Sequence, residues 1–311
     1  SSDVCSSDLS INLIEYLFNF MGRFSRLSRM LISVERCDNY TRVVQEKYPN
    51  LDTDENLPKY AIKNGKATTF ISEGKITFNN YSAKYRPNTP LVLKNISFVI
   101  NPREKLGVVG RTGSGKSTLC LSLFRIIEAN SGSICIDGID ISRIGLETLR
   151  NNLTIIPQEP ILIEGTLRDN VDPTNCYTDK EIINMLSEVG LDEFFFNKSL
   201  DYKIENNGVN ISIGEKQLIC IARALIKKSK IILMDEATAN IDYKTETYLQ
   251  KSINAGMKDC TVITIAHRIK TIINYDKILV LNNGEIVELD SPKNLLDKKG
   301  LFYQLYKESL L

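Results

Sequence analysis

The 311-residue chain has almost no net charge, because 39 Lys and Arg residues stand against 38 Asp and Glu residues. A chain of this kind has no need of a basic face, so nucleic acid is not expected as a partner. Its seven cysteines form no C-x-x-C pair and no other metal-binding spacing. An odd, scattered set of cysteines is typical of reduced thiols in the cytosol.

Internal repeats and low-complexity tracts are also absent, and the apolar run at the front of the chain is too short to span a bilayer. This run covers residues 11–21 and contains Glu15. The apolar fraction of 42% is nevertheless sufficient for one large α/β domain with extensions. Residues 1–9 read SSDVCSSDL, without a core or capping pattern. We interpret them as a non-native remnant, with an ordinary disordered terminus as the alternative.

Residues 10–47 contain apolar side chains at helical spacing, which predicts a helix over residues 10–44. Arg23, Arg26 and Arg29 follow its apolar start, as expected where a membrane helix emerges on the cytoplasmic side. A soluble amphipathic helix is the alternative. Residues 48–70 are polar, contain two prolines and lack a sustained period, so they predict a linker to a domain over residues 71–311.

A glycine-rich segment, GRTGSGKST, lies between an apolar strand pattern and an apolar helix pattern. Glycines in such a loop let backbone N–H groups turn toward phosphate oxygens, and the following helix directs its positive dipole end at the same anion. Lys116 can reach the terminal phosphates, and the Ser117 hydroxyl can bind Mg²⁺. The segment therefore predicts a nucleoside triphosphate site made by Gly110, Arg111, Thr112, Gly113, Ser114, Gly115, Lys116, Ser117 and Thr118.

Two carboxylates, Asp235 and Glu236, follow the apolar strand pattern IILM. An Asp at the carboxyl end of a strand can hold Mg²⁺, and a second carboxylate beside it can polarise an attacking water. The alternative role for both residues is to cap a following helix.

Six motifs, in this order and spacing, resemble the nucleotide-binding domain of ABC transporters. They are GRTGSGKST, IIPQEP with Gln158, SIGEKQL from Ser212, ILMDEAT with Asp235, NID with Asp242 and TIAHR with His267. Three further segments resemble the C-terminal nucleotide-binding domain of subfamily C, which includes multidrug-resistance-associated exporters, the cystic fibrosis channel regulator and sulfonylurea receptors. These segments are SVERCDNY at 33–40, YRPNTPLVLKNISF at 85–98 and LTIIPQEPILIEGTLRDNVDP at 153–173.

The resemblance implies an α/β fold, a P-loop NTPase of the ABC ATPase type. Such a domain has a RecA-like core, an antiparallel β portion and a helical subdomain, here over residues 71–311. Residues 10–47 would then be the end of the last transmembrane helix and its cytoplasmic extension. ATP and Mg²⁺ are the implied ligands.

The resemblance also assigns roles around the nucleotide. Tyr85 would stack on the adenine, although Tyr81 is a rival and a buried strand aromatic is the alternative. Gln158 would touch Mg²⁺ and the attacking water, unless it is only a turn residue between two prolines. His267 would contact the γ-phosphate and hold the water for Glu236, unless it is an ordinary packed or surface histidine.

In the SIGEKQL segment, Ser212 and Gly214 would contact the ATP of a partner domain in a head-to-tail dimer, and Asp242 would assist communication between the halves. The segment departs from the family pattern, since Glu215 replaces a usual Gln and Ile213 a common Gly. A carboxylate facing the partner's phosphate is unfavourable unless it turns away. We interpret Glu215 as compatible with activity.

The implied function is an ATPase that powers export of organic anions, conjugates or drugs. Its partners would be the N-terminal nucleotide-binding domain of the same transporter, the transmembrane domains and, through the upstream helices, the membrane. The domain would lie on the cytoplasmic face of a multi-pass membrane protein. An ATP-gated channel or channel regulator, or a soluble ABC ATPase, is the alternative.

Overall fold

The computed structural model describes residues 2–43, 45–61, 68–191, 199–235, 257–266 and 268–309. The chain divides into two compact units, Ser1–Lys47 and Tyr48–Leu311. Seven residues of the sequence motifs lie outside the described residues: Glu236, Ala237, Thr238, Asn240, Ile241, Asp242 and His267.

The first unit is a helix, α1 (Ser2–Thr41). It begins eight residues before the predicted start at residue 10, because the SSDVCSSDL segment continues the same helix. Apolar side chains such as Phe18 and Met30 are exposed within the unit. No helix among the described residues combines the length and apolarity needed to cross a membrane.

The second unit contains a parallel sheet, an antiparallel sheet and helices. Its strands are β1 (Tyr60–Ala61), β2 (Thr68–Thr69), β3 (Ile76–Ala83), β4 (Leu93–Ile100), β5 (Lys105–Val109), β6 (Ala129–Ile136), β7 (Ile139–Asp140), β8 (Leu153–Ile156), β9 (Gly165–Thr166), β10 (Lys203–Ile204), β11 (Ile231–Asp235), β12 (Thr261–Ile265), β13 (Lys277–Asn282) and β14 (Glu285–Asp290). Its helices are α2 (Lys116–Leu123), α3 (Leu146–Asn152), α4 (Leu167–Val171), α5 (Asp179–Glu188), α6 (Ile213–Ile226), α7 (Pro292–Lys298) and α8 (Leu301–Glu308).

The central sheet has the strand order β14-β13-β5-β12-β11-β8. All its strands except β14 pair in parallel. Strands β11 and β12 are almost wholly buried and mostly apolar, as expected for parallel strands covered on both faces. Because the strands are parallel, their carboxyl ends meet at one edge of the sheet.

The predicted antiparallel portion is a second sheet, in the order β4-β3-β6-β7. Its inner face shares one apolar core with β5 and α2, in which Phe78 stacks on Phe98 at 4.6 Å between ring centroids. Asp137 directly follows β6. Its carboxylate accepts hydrogen bonds from the backbone N–H groups of residues 72–75, which precede β3. This clamp fixes the start of the antiparallel sheet.

The predicted helical subdomain contains α4, α5 and α6, which share a separate apolar core with the ends of β8 and β11. Helix α5 ends at Glu188, since Val189 and Gly190 turn the chain out of the helix. Residues 192–198 lie outside the described part. The helix after the SIGEKQL segment begins at Ile213, capped by Ser212.

The first described part of the predicted linker, residues 48–61, has structure of its own. A short 3₁₀ helix covers Asp52–Asn56, and β1 pairs with β2. Leu57 packs against the main apolar core. The polar composition of this segment did not indicate its structure. The hydrogen-bond partners of residues 48–57 lie about ninety positions away in the chain, around residue 145.

Candidate functional site

One edge of the parallel sheet collects the predicted nucleotide residues. The GRTGSGKST loop leaves β5 after Val109, and Asp235 ends β11. Asp235 is paired in register with Ile265 of β12, which in turn is paired with Val108 of β5. Gln158 follows the end of β8 by two residues. The topology therefore brings the loop, Asp235 and Gln158 to the same edge, where open α/β sheets bind ligands.

The loop conformation depends on glycine at two positions. A Cβ on Gly110 would lie 2.2 Å from the Leu281 carbonyl oxygen, so no other residue fits there. Gly115 has a left-handed φ of 104° and a Cβ there would lie 2.8 Å from Leu93 Cδ2. The loop can thus turn sharply into α2 and expose the first N–H groups of that helix, which have no acceptor within the helix itself.

The Lys116 side chain is held across this loop. Its Nζ donates to the carbonyl oxygens of Gly110, at 2.8 Å, and Arg111, at 3.1 Å, and the residue is buried. Ser114 is buried as well, and within the described part of the chain its Oγ has no hydrogen-bond partner. Ser117, the second residue of α2, is exposed. The loop therefore combines a fixed cation with hydroxyl groups around a glycine turn.

The two candidate tyrosines occupy different environments. Tyr81 is only 2% exposed, packs edge-on against Phe78 and points its hydroxyl at the Ile127 carbonyl oxygen. Burial raises its pKa. Tyr85 is 55% exposed, and its hydroxyl lies 3.0 Å from Thr118 Oγ1 in the first turn of α2. The structure thus places Tyr81 in the core and Tyr85 beside the loop.

Cys120, one turn after Lys116, was not singled out by the sequence. Burial, together with the negative charge of Asp235, raises the pKa of its thiol. The thiol therefore stays protonated and serves as a small apolar group between α2 and the end of β11. Asp235 itself is half-buried.

The loop after Gln158 is attached to helix α6. Gln217 Nε2 lies 3.5 Å from the Gln158 carbonyl oxygen, and Arg223 donates to the carbonyl oxygens of Ile161 and Asn170. The buried Asn170 side chain in turn pairs with both the N–H and the C=O of Ile163. Periodicity could not reveal the contacts of α6 with this loop, because they join residues more than fifty positions apart.

Ser212 begins α6 with a capping box. Its Oγ donates to Glu215 Oε2 at 2.6 Å, and its N–H donates to the same oxygen at 2.9 Å. The Glu215 N–H returns a 3.3 Å bond to Ser212 Oγ. The Glu215 carboxylate is thereby turned back onto its own helix start.

Comparison with known proteins decides the family. Residues 93–239 match the family model described as ABC transporter. ATP-binding cassette sub-family C member 2 of Homo sapiens is 45% identical over 302 residues, which cover 96% of this chain and 19% of that protein. Metal resistance protein YCF1 of Saccharomyces cerevisiae is 46% identical over 283 residues, which cover 90% of this chain and 18% of that protein. The chain belongs to subfamily C of the ABC transporters.

A solved structure described as a bacterial Atm1-family ABC exporter with ATP bound superimposes on the chain with a TM-score of 0.78 and 28% identity. The superposition covers 91% of this chain and 48% of the exporter chain. The predicted α/β ABC ATPase fold, with its antiparallel portion and preceding helix, is therefore confirmed. This ABC chain spans about a fifth of the length of the subfamily C relatives it matches.

Proposed function

We propose that this ABC domain binds ATP with Mg²⁺ and hydrolyses it to drive export across a membrane. The observation that carries the proposal is the position of Lys116, fixed over a glycine loop at the same sheet edge as Asp235 and Gln158. A cation held in this way binds the terminal phosphates of a nucleotide. The exposed Tyr85 ring beside Thr118 is positioned to stack on the adenine.

The side chains at this edge suit Mg²⁺. The metal prefers oxygen ligands, and Ser117, Gln158 and Asp235 supply a hydroxyl, an amide and a carboxylate oxygen. Among the residues that the structure describes, no cluster of three or more His, Cys, Asp or Glu side chains is arranged to hold a metal ion by itself. The phosphates would therefore complete the coordination, and Mg²⁺ would offset their charge.

The catalytic roles of Glu236 and His267 are proposed from the sequence, since both residues lie outside the described part. Glu236 directly follows Asp235 in the sequence, and Asp235 is the last residue of β11. We assign it to polarise the attacking water and His267 to orient that water toward the γ-phosphate. Lys116 and Gln158 complete the catalytic set.

We further propose that the domain, over residues 71–311, pairs head-to-tail with the N-terminal nucleotide-binding domain of the same transporter. Ser212 and Gly214 at the start of α6 would bind the partner's ATP. Residues 10–47 would continue from the last transmembrane helix and residues 48–70 would connect it to the domain. This arrangement gives a multi-pass membrane protein with the domain on its cytoplasmic face. The cargo class, organic anions, conjugates or drugs, follows from the resemblance to subfamily C.

A binding comparison between two lysine variants tests the nucleotide site. Lys116→Ala should weaken Mg-ATP binding by about tenfold or more, because a charge-assisted contact contributes roughly 1.5–3 kcal/mol. Lys84→Ala is the matched control, since Lys84 Nζ also bonds a backbone carbonyl, that of Pro87, but outside the loop. Equal affinity of the two variants, measured by titration calorimetry, would contradict the phosphate contact.

Hydrolysis and export need their own experiment in the complete transporter. Glu236→Gln should retain ATP binding while ATP turnover and ATP-dependent uptake of a glutathione conjugate into inside-out vesicles both fall by orders of magnitude. Full turnover in this variant would remove Glu236 from catalysis. ATP turnover without any coupled uptake in the unmodified protein would contradict the export proposal.

A further inference from the structure

The N-terminus of α3 receives its hydrogen-bond acceptors from residues 48–57, which we call the strap. The N–H groups of three successive residues donate into it: Gly145 to Asp54 Oδ1 at 2.9 Å, Leu146 to the Tyr48 carbonyl oxygen at 3.2 Å, and Glu147 to the Pro49 carbonyl oxygen at 2.8 Å. The first N–H groups of a helix have no acceptor within the helix. The strap therefore caps α3 from a distant part of the chain.

Side chains strengthen this contact on both sides. Thr148 Oγ1 donates to Asp54 Oδ2 at 2.8 Å, and Asn50 Nδ2 donates to Glu147 Oε2 at 3.0 Å. Asp54 thus accepts from both the backbone and a side chain of the first turn of α3. The strap is docked by a specific set of bonds and does not merely lie against the helix.

Gly145 allows the strap to approach the N-terminus of α3 closely. Its φ is −61°, a value open to any residue, so glycine is not required for the backbone conformation. A Cβ there would lie 2.4 Å from Asp54 Oδ2 and 2.5 Å from the Pro49 carbonyl oxygen. The absent side chain is what lets the strap reach the helix.

Helix α3 is connected to both arms of the nucleotide site. Asn152 ends α3, and the next residue, Leu153, begins β8, which leads to Gln158. Arg150 of α3 donates to the carbonyl oxygens of Phe124, at 3.1 Å, and Arg125, at 3.2 Å, at the end of α2. Helix α3 therefore links the strap both to β8 and to the end of the helix that starts at Lys116.

We propose that docking of the strap is coupled to the nucleotide site through α3. Tyr48, its first residue, directly follows the last residue of the first unit. The inference rests on the proposed function, because it requires nucleotide at the sheet edge. The strap is then a mechanical connection, in which docking on α3 and binding of nucleotide influence each other.

Linkage gives this inference a quantitative test. If nucleotide changes the docking equilibrium by some factor, undocking must change the dissociation constant for nucleotide by the same factor. Amide hydrogen exchange at residues 145–147 reports docking, and titration with a non-hydrolysable ATP analogue reports binding, both on this chain. We expect the analogue to change the exchange rates about fivefold, within the usual range of such coupling.

Two variants release the strap from opposite sides. Asp54→Ala removes the acceptor, and Gly145→Ala places a Cβ where the acceptor lies. Both should raise exchange at residues 145–147 and change the dissociation constant about fivefold. Asp140→Ala is the matched control, because it removes one capping bond, from the Ser142 N–H at 2.9 Å, in the turn before α3 without touching the strap. It should leave the affinity at the wild-type value.

The outcomes separate this inference from the proposed function. Raised exchange with unchanged affinity in both strap variants would overturn the coupling alone, as would an unaltered wild-type exchange pattern when nucleotide is bound. The wild-type measurement needs no variant and holds even if one variant fails to fold. A wild-type chain that binds no nucleotide would overturn the proposed function and this inference together.

Discussion

Ser212 and Glu215 form a closed pair, in which the Ser212 hydroxyl donates to the Glu215 carboxylate at 2.6 Å. The hydroxyl proposed to contact a partner's ATP is therefore engaged within its own helix start. A neutral acceptor would hold it less firmly, because hydrogen bonds to charged groups are roughly twice as strong as neutral ones.

Replacing Glu215 by Gln should release this hydroxyl while preserving the helix, since Gln also completes a capping box. We expect nucleotide-dependent association with the partner domain to become about fivefold tighter, the difference between a charged and a neutral hydrogen bond. Glu215→Ala, which loses the cap, should lower the thermal stability of α6 instead. Identical association of wild type and Glu215→Gln in sedimentation experiments would argue against competition for Ser212.

Tyr85→Ala should weaken ATP binding about tenfold, because stacking of a base on an aromatic ring contributes roughly 1–3 kcal/mol. Tyr85→Phe keeps the ring and loses only the hydroxyl contact with Thr118, so its affinity should stay within about twofold of wild type. Tyr81→Phe should leave affinity unaltered, since that ring is buried. Fluorescence titration with a labelled ATP distinguishes these cases. Equal losses of ATP affinity in Tyr85→Ala and Tyr85→Phe would contradict stacking.

Asp137→Asn should destabilise the domain by about 1–2 kcal/mol at pH 7, allowing for its partial exposure. Burial raises the pKa of this carboxyl, but backbone donors at residues 72–75 more than offset that effect, and the net pKa is lowered. A carboxyl whose pKa is lowered on folding stabilises the fold fully at pH values above its pKa in the unfolded chain, about 4. This stabilisation is lost as the pH falls through its pKa in the folded chain. Urea unfolding at pH 7 and below pH 4 should thus show the difference shrinking with acidity. A difference independent of pH would exclude the ionised clamp.

Gly110→Ala should abolish ATP binding and lower the melting temperature, because its Cβ would collide with the Leu281 backbone. Gly113→Ala is an instructive comparison. A Cβ there meets no protein atom within 4 Å, so only its left-handed φ of 79° opposes the change, at a cost of about 1–2 kcal/mol. Thermal melts of both variants should rank Gly110→Ala as the more damaging, and the reverse order would contradict the packing argument.

Much of the fold could be predicted from local patterns. Apolar patterns predicted a strand before the glycine-rich loop and a strand before Asp235, and the structure contains both as the buried strands Lys105–Val109 and Ile231–Asp235. The edges of helices were less accurate, and α1 begins before the apolar period does. Motif order was enough to name the residues of the loop. It could not show which of them the fold brings together.

What the sequence missed depends on contacts between distant residues. The strap has a polar composition that indicates a linker, yet Asp54 and Thr148 bond across the fold. Arg223 and Asn170, which anchor the loop after Gln158, carry no motif that marks them. Glu215 looked unfavourable as a charge, and only the geometry shows its carboxylate turned onto Ser212.

Strand β12 lies between β5 and β11 and thereby sets the distance between the strand before the glycine loop and the strand that ends in Asp235. Two strand spacings separate the strand that carries the glycine loop from the strand that ends in Asp235, roughly 10 Å. With one strand inserted, the glycine loop and the end of β11 leave room between them, which the phosphoryl group, metal ion and water of the proposed function would occupy.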